Sequence, residues 1–464
     1  LRMTSSRYGS MCAVLAGVGN LLLWTSYDAH AWILQSVLYS VHKREPERIG
    51  AFDGYYGLSV INVASMLATL LTPTLLQFVK CKWLMAVGCS VFLVYYATFF
   101  ALHRAFYFLA CSAMGAALAA FNIGCGGYMT EISTRQSLER NQAVSWSISC
   151  TSLFCSGIIY IVVTVFINES QHHKLKEYGD LEIRYFFTAF AVISVFALLI
   201  FCLLPSHNVE DSIAAATKKN VNVAKELLSM VSVLSSPRVL VLLPFYLYVG
   251  LFFSFWMSVL PTALHLTSSL ADIPLLPAYF GMSVSAGSVT MSLLTIVMSK
   301  RTEDFTMYPL TCINFVVHFL VFGVTLATIP KWSTVVENDE PALLLQPGLA
   351  SCVVLGFLCG MADAANYSIR TVISSLLLPN QRNESIAAGR LYHGLAAAVF
   401  FYASPSLTIY AFVASLAGFM MLGTIGVIYS SRYIKLSERS LEKTAIQETS
   451  TQVTLLKDGV EDLE

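Results

Sequence analysis

Residues 205–238 read PSHNVEDSIAAATKKNVNVAKELLSMVSVLSSPR, the only long polar stretch between hydrophobic segments in this chain of 464 residues. About six apolar runs of membrane-crossing length precede it, and about six follow it. Inside it, residues 213–233 predict a surface helix with Lys218, Lys219 and Lys225 on a solvated face. A long, moderately basic connector between two six-span halves is the plan of a twin-bundle membrane protein. The expected fold class is therefore an all-α polytopic membrane protein with twelve transmembrane helices in two six-helix bundles. The expected divisions are an N-terminal bundle at 1–204, a cytoplasmic connector at 205–238, a C-terminal bundle at 239–430 and a disordered cytoplasmic tail at 431–464.

Composition points to the lipid bilayer as solvent. The chain is 56% hydrophobic and 12% charged, with a mean hydropathy of +0.66, against roughly 25% charged residues in soluble domains. Apolar runs without strict alternation exclude an outer-membrane barrel. Lys plus Arg and Asp plus Glu are equal at 28 each, so charge offers nothing toward a nucleic-acid partner and none is expected. The eleven cysteines lie in or beside the spans, which argues against a disulfide framework. With no C-x-x-C pair and no Cys/His cluster, neither metal nor cofactor is expected. The first apolar stretch is too long for a signal-peptide core and lacks a small-residue cleavage site, so it is expected to stay. Walker A, G-x-S-x-G, H-E-x-x-H and dinucleotide fingerprints are all missing, so no enzyme is indicated. Without an Arg ladder or a filter-like loop, a voltage sensor and a pore rank low as well.

The spans fall at about 11–39, 54–78, a third following Lys82, 106–131, 144–167 and a sixth ending at Leu204. The second half has them at about 239–264, 276–298, 307–329, 349–378, 386–403 and 406–430. Basic residues favour the side of both termini by roughly two to one, which sets N- and C-termini in the cytoplasm. The turn holding Lys43, Arg44 and Arg48 opposes that bias, with Glu45 and Glu47 among its bases. In this orientation Asn168-Glu-Ser is an external glycosylation sequon, whereas Asn383-Glu-Ser faces the cytoplasm and Asn366-Tyr-Ser lies in a span. A short echo between the halves, Glu131-Ile132-Ser133 with Arg140-Asn141 and Val372-Ile373-Ser374 with Arg382-Asn383, fits parallel repeats about an axis along the membrane normal.

Charges within spans usually face the bundle interior or water. Asp363, Asn366 and Arg370, spaced i, i+3, i+7, share one face of the tenth span, and Arg390 and His393 follow the next turn. One reading is a polar pathway or inner gate; the plainer one is a structural ion-pair network with snorkelling arginines. Glu131 either pairs with Arg135 at i+4 or latches the halves together. Asp28 is a candidate coupling carboxylate. His318 reads as a packed histidine, and Asn20, Asn62, Asn122 and Asn314 as interhelical hydrogen-bond donors. Gly356 and Gly360 form a G-x-x-x-G, and Gly124, Gly126 and Gly127 promise similar close contacts.

Several of these pieces resemble the uncoordinated-93 family of major-facilitator-like proteins. Gly127-Tyr128-Met129-Thr130-Glu131 closes the fourth span, Ser133-Thr134 follows, then Glu139-Arg140-Asn141 and Trp146 lead into the fifth. Gly360-Met361-Ala362-Asp363-Ala364 and Arg390-Leu391 are similar to the family's spans ten and eleven. The usual major-facilitator loop after the second span is Gly-rich with an Asp-Arg pair. Here residues 77–82, QFVKCK, lack both the Gly and the Asp, and the counterpart at 299–304 orders its charges differently. The resemblance implies a regulator of other membrane proteins, in the plasma membrane or an endomembrane. Family members include a regulatory subunit of a two-pore-domain potassium channel and an escort of nucleic-acid-sensing receptors. The alternative is an ion-gradient-driven secondary transporter of a small solute.

Overall fold

The computed structural model describes residues 5–75, 79–134, 138–171, 178–206, 223–270, 273, 275–299, 301–302, 305–337, 340–378 and 381–461. Hydrocarbon offers no hydrogen-bond partners, so each crossing segment must satisfy its own backbone, and these segments are helical. In chain order they are α1 (Ser5–Arg44), α2 (Asp53–Leu75), α3 (Cys81–Ala97), α4 (Arg104–Ile132), α5 (Leu138–Ser149), α6 (Ser152–Gln171) and α7 (Asp180–Leu203). After the connector come α8 (Val223–Leu234), α9 (Pro237–Ser254), α10 (Leu260–His265), α11 (Leu276–Ser299), α12 (Pro309–Thr328), α13 (Leu349–Leu377), α14 (Arg382–Ala403) and α15 (Ile409–Glu461). Counting α5–α6 and α9–α10 as single spans, 11 helices among the described residues are long and apolar enough to cross a membrane. The 23-residue α2 completes the twelve.

Two boundaries differ from the sequence reading, and a third falls partly outside the described residues. The fifth span is broken at Cys150–Thr151, where Thr151 Oγ1 donates to Ile148 O at 2.8 Å and Ser149 Oγ to Ser145 O at 2.9 Å, competing with the helical ladder. The connector helix is described only over Val223–Leu234, while 207–222, including Lys218 and Lys219, and the Lys225 side chain lie outside the described residues. Past Ser431, where a disordered tail was expected, α15 continues to Glu461. No proline follows Pro405 and no glycine falls between Gly426 and Gly459, so nothing local stops the helix.

The two halves repeat one packing plan. In the first, α2 and α3 pack on α4, α1 packs on α5 and α7, and α3 packs on α7. A shift of six spans reproduces it: α11 and α12 on α13, α9 on α14 and α15, and α12 on α15. Each half is locked by a buried histidine among aromatics. His30 lies between Tyr27 O (2.7 Å) and Tyr95 OH (3.2 Å), and His318 bonds Asn314 O at 2.7 Å beside Tyr248 and Phe252.

The halves meet along α2–α14 and α6–α11, with α1 against α10. Ser59 Oγ donates to Ala398 O at 2.8 Å across the first seam. With six spans per half, the chain's start, the connector and the end of α15 share one face, the connector face. On the opposite, far face, Tyr55 OH donates to Thr334 O (3.2 Å), Lys43 pairs with Glu337 (3.2 Å) and the Tyr178 ring lies on His265, all joining the halves. The basic turn there is neutralised locally. Asp180 takes Arg44 and Arg48, each at 3.1 Å, and buried Asp53 takes Arg104 at 2.9 Å.

Helices α11 and α13 approach each other backbone to backbone. A Cβ on Gly360 would lie 1.9 Å from Val284 O, and one on Gly287 1.9 Å from Phe357 O. The G-x-x-x-G pair thus serves packing within the chain, with Gly356 against Phe280 O. Gly124 likewise approaches α3, but Gly126 has nothing within 4 Å, contrary to the sequence expectation. Gly360→Ala is expected to cost about 1–3 kcal/mol or to separate the helices. A lower melting temperature in detergent, with Gly418→Ala unchanged, is the result to look for; Gly418 has nothing within 4 Å.

Candidate functional site

Two carboxylates from opposite halves lie in the spans within electrostatic reach of each other, and each accepts a hydrogen bond from beside an irregular stretch of helix. Asp28, in α1, is buried and accepts from Ser152 Oγ at 2.9 Å, just past the break between α5 and α6. Ser156 Oγ donates to Thr25 O at 2.8 Å one turn further along the same seam. Asp363, in α13, accepts from Trp256 Nε1 at 3.2 Å. Trp256 belongs to the π-helical turn Phe255–Val259 that separates α9 from α10. That turn follows Pro244 and precedes Pro261, which remove two backbone donors from the span. Asp28 and Asp363 are within electrostatic reach of each other, and Cys150 at the α5 break is in reach of both.

The basic groups gather beside this pair. Arg370 is in electrostatic reach of Asp363 and Arg390, and His393 of both arginines. Arg390 is exposed and in reach of Cys125 of α4, whose sulfur accepts from Asn20 Nδ2 at 3.3 Å. Asn122, one turn before Cys125, is exposed, and Gly126 beside it faces open space. With the far face tied, exposed Trp146 and Arg390 lie toward the connector-face side of the cleft between the halves. An aromatic bridge crosses it there: Trp146 of α5 stacks on Tyr367 of α13 at 5.1 Å and 10°, and the Arg370 guanidinium lies 5.7 Å from the Tyr367 ring centroid.

Of the residues singled out in the sequence, Asp28, Asp363, Arg370, Arg390 and His393 are therefore brought together. Asn366 is not. Its Oδ1 accepts from Asn314 Nδ2 at 2.9 Å and its Nδ2 lies 3.3 Å from His318 Nε2, so it tethers α13 to α12. At i+3 it stands about 60° around the helix from Asp363, enough to face the neighbouring span. Glu131 lies apart, beside Cys81 and Tyr128 at the end of α4; Arg135 is outside the described residues. Asn62 bonds its own helix, donating to Leu58 O at 2.8 Å.

The Tyr128–Asn141 segment serves as scaffold. Tyr128 OH donates to Pro205 O at 2.9 Å, pinning the first residue of the connector. Buried Asn141 donates to Ser133 Oγ at 2.9 Å and accepts from Ser10 Oγ at 3.4 Å, tying α1 to the α4–α5 turn. The side chains of Glu139, Arg140 and Asn168 lie outside the described residues. The sequence reading missed Ser152, Trp256, Cys125 and Tyr367. The S-x-S-C-T-S run before α6 and the two prolines of the seventh span were the available signals.

This arrangement of two six-span halves around a polar cleft defines a polytopic membrane protein of the major-facilitator fold. Solved transporters are similar to it in backbone. A mutant of the peptide transporter POT in complex with sulfate matches with a TM-score of 0.65 at 12% identity, over 91% of this chain and 95% of that one. The nucleoside transporter NupG matches with a TM-score of 0.57 at 11% identity, over 93% and 99%. Within that class, the profile of the ion channel regulatory protein UNC-93 matches residues 45–428, and the chain belongs to the UNC-93 family.

The aromatic bridge gives the cleft a measurable closure. Trp146→Ala removes a stack worth about 0.5–1.5 kcal/mol, so maleimide labelling of exposed Cys150, one turn away, is expected to rise roughly two- to tenfold. Unchanged labelling by peptide mapping would mean the ring pair does not restrain the cleft.

Proposed function

We propose that the protein is a non-enzymatic accessory protein of transporter fold that acts on another membrane protein, a potassium channel or a receptor in transit. The observation that carries this reading is the UNC-93 family match over residues 45–428. Two features of the chain support it. Residues 77–82 lack the Gly and the Asp of the loop that takes part in the usual transport cycle. Within the family-like segment from Tyr128 to Asn141, the described Tyr128, Ser133 and Asn141 side chains tie α1, the α4–α5 turn and the connector together. On this reading Asp28 and Asp363, each held by a neutral donor, serve helix packing.

Affinity purification from native membrane in mild detergent tests it. A stoichiometric channel or receptor subunit is expected to come along, and a partner-free monomer would count against the assignment. A secondary transporter is the second reading, favoured by one observation. Two carboxylates from opposite halves, in electrostatic reach of each other, accept hydrogen bonds from beside the breaks in α5–α6 and α9–α10, the kind of place where coupling ions bind in such folds. For that reading Asp363→Asn must abolish flux while leaving expression intact. The accessory reading expects no solute flux in wild type and partner capture retained in Asp363→Asn.

The orientation proposed with it places both termini and the 205–238 connector in the cytoplasm. Asn168, in the last turn of α6, is then external. Wild type from a eukaryotic membrane is expected to lose one glycan on deglycosidase treatment, and Asn168→Gln to migrate at that lower position from the start. A wild-type chain indifferent to the enzyme would go against this orientation.

A further inference from the structure

Arg370 and Arg390 carry charge into the cleft without an anion in contact. Among the described residues neither guanidinium makes a hydrogen bond or a salt bridge. The one direct contact of Arg370 is with the Tyr367 ring. Asp363 does not serve them: it lies seven residues, or two turns, from Arg370 and is held by Trp256. Asp28 is held by Ser152. All five N–H donors of each guanidinium therefore remain open.

The backbone converges these groups on one stretch of α9. Tyr246 OH and Ser374 Oγ lie 2.8 Å apart, fixing α13 one turn beyond Arg370. On the other side a Cβ on Gly389 would lie 2.9 Å from the Tyr246 ring, and one on Gly250 would lie 2.2 Å from His393 O. Arg390 follows Gly389 directly, and His393 lies one turn on. The His393 Nδ1 is buried with no hydrogen-bond partner. Three basic groups on two helices thus face one space with unfilled donors, and Arg390 is exposed near the connector-face end of α14.

We propose that Arg370, Arg390 and His393 form a binding site for a phosphate-type oxyanion that enters from the connector face. Two planar guanidinium forks match the paired oxygens of a phosphate, and an imidazole N–H supplies a further donor. A halide, a single spherical acceptor, would leave the paired forks only partly used. The same chemistry is presented by a soluble phosphate and by the headgroup of an anionic phospholipid in the adjoining leaflet. The site does not depend on whether the protein regulates a partner or moves a solute.

The full chain, purified in neutral detergent, is titrated with inorganic phosphate and followed by thermal unfolding. In parallel it is placed in phosphatidylcholine nanodiscs with or without phosphatidylinositol phosphate, and retained lipid is read by native mass spectrometry. Stabilisation by phosphate points to a soluble ligand, and selective retention of the anionic lipid to a headgroup. In either case Arg390→Gln is expected to weaken binding by roughly thirtyfold. Arg370→Lys, which keeps the charge and loses the fork, is expected to weaken it in the same direction, and Lys82→Gln to leave it alone. Because Arg390 is exposed and unpaired, its variant should fold, and an unchanged size-exclusion profile checks this. The proposal is overturned if neither probe binds wild type, or if binding persists at wild-type strength in Arg390→Gln.

Discussion

A polar group inside hydrocarbon has only the chain itself to bond, and that constraint arranges most of this molecule. Ser and Thr hydroxyls along the spans return to the carbonyl one turn back, as at Ser40, Thr69, Ser283 and Thr328. Histidines and asparagines that cannot do so are gathered between helices, where they fix α1 to α3 and α12 to α13. Each such bond is worth only about 0.6 kcal/mol on average, so their value lies in register. The exceptions then stand out. Among the described residues, His393 Nδ1 is one of the buried side-chain atoms with no hydrogen-bond partner, and it lies in electrostatic reach of Arg370 and Arg390 on adjoining helices.

The halves share a backbone plan and differ in charge. Carboxylates enter the cleft from both, Asp28 from α1 and Asp363 from α13, while both cleft arginines come from the second half. Each carboxylate is met by a helix whose regular ladder has been interrupted, by a Ser/Thr cluster in one half and by a π turn between prolines in the other. Two unrelated local devices therefore deliver a neutral donor to an acid within a span, buried at Asp28 and half-buried at Asp363. A bare carboxylate at that depth would cost several kcal/mol, and one good hydrogen bond to it recovers about 1.5–3.

Much of this was legible in the sequence, because lipid makes hydropathy a near-direct readout of spans. The i, i+7 spacing of Asp363 and Arg370 also placed them on one face. Asn366 fails the same argument, since 60° of helix is enough to point a short amide at a different neighbour. Glu131 was indistinguishable from a latch because the sequence does not say that Tyr128 and Cys81 lie beside it. Ser152 and Trp256 were invisible for a different reason. Their roles depend on breaks in otherwise apolar helices, which periodicity averages away. The helix beyond Ser431 shows the converse: polar composition suggested disorder, yet without Pro or Gly the chain carries on.

Why the far face stays shut follows from burial more than from charge. Arg44, Arg48 and Lys43 pair with acids that are about half exposed, and exposed pairs of this kind contribute about 0–1 kcal/mol each. Tyr55, fully buried with its hydroxyl on Thr334 O, and Tyr178, buried against Tyr160 and His265, represent far larger areas removed from solvent. At about 25 cal/mol per Å², two such rings outweigh the ion pairs around them. Opening that face would expose both rings and leave Arg44 and Arg48 of one half still paired to Asp180 of the same half. The Asp180 pairs therefore stiffen the first bundle, the exposed Lys43–Glu337 pair adds little across the seam, and the tyrosines set which side of the cleft is closed.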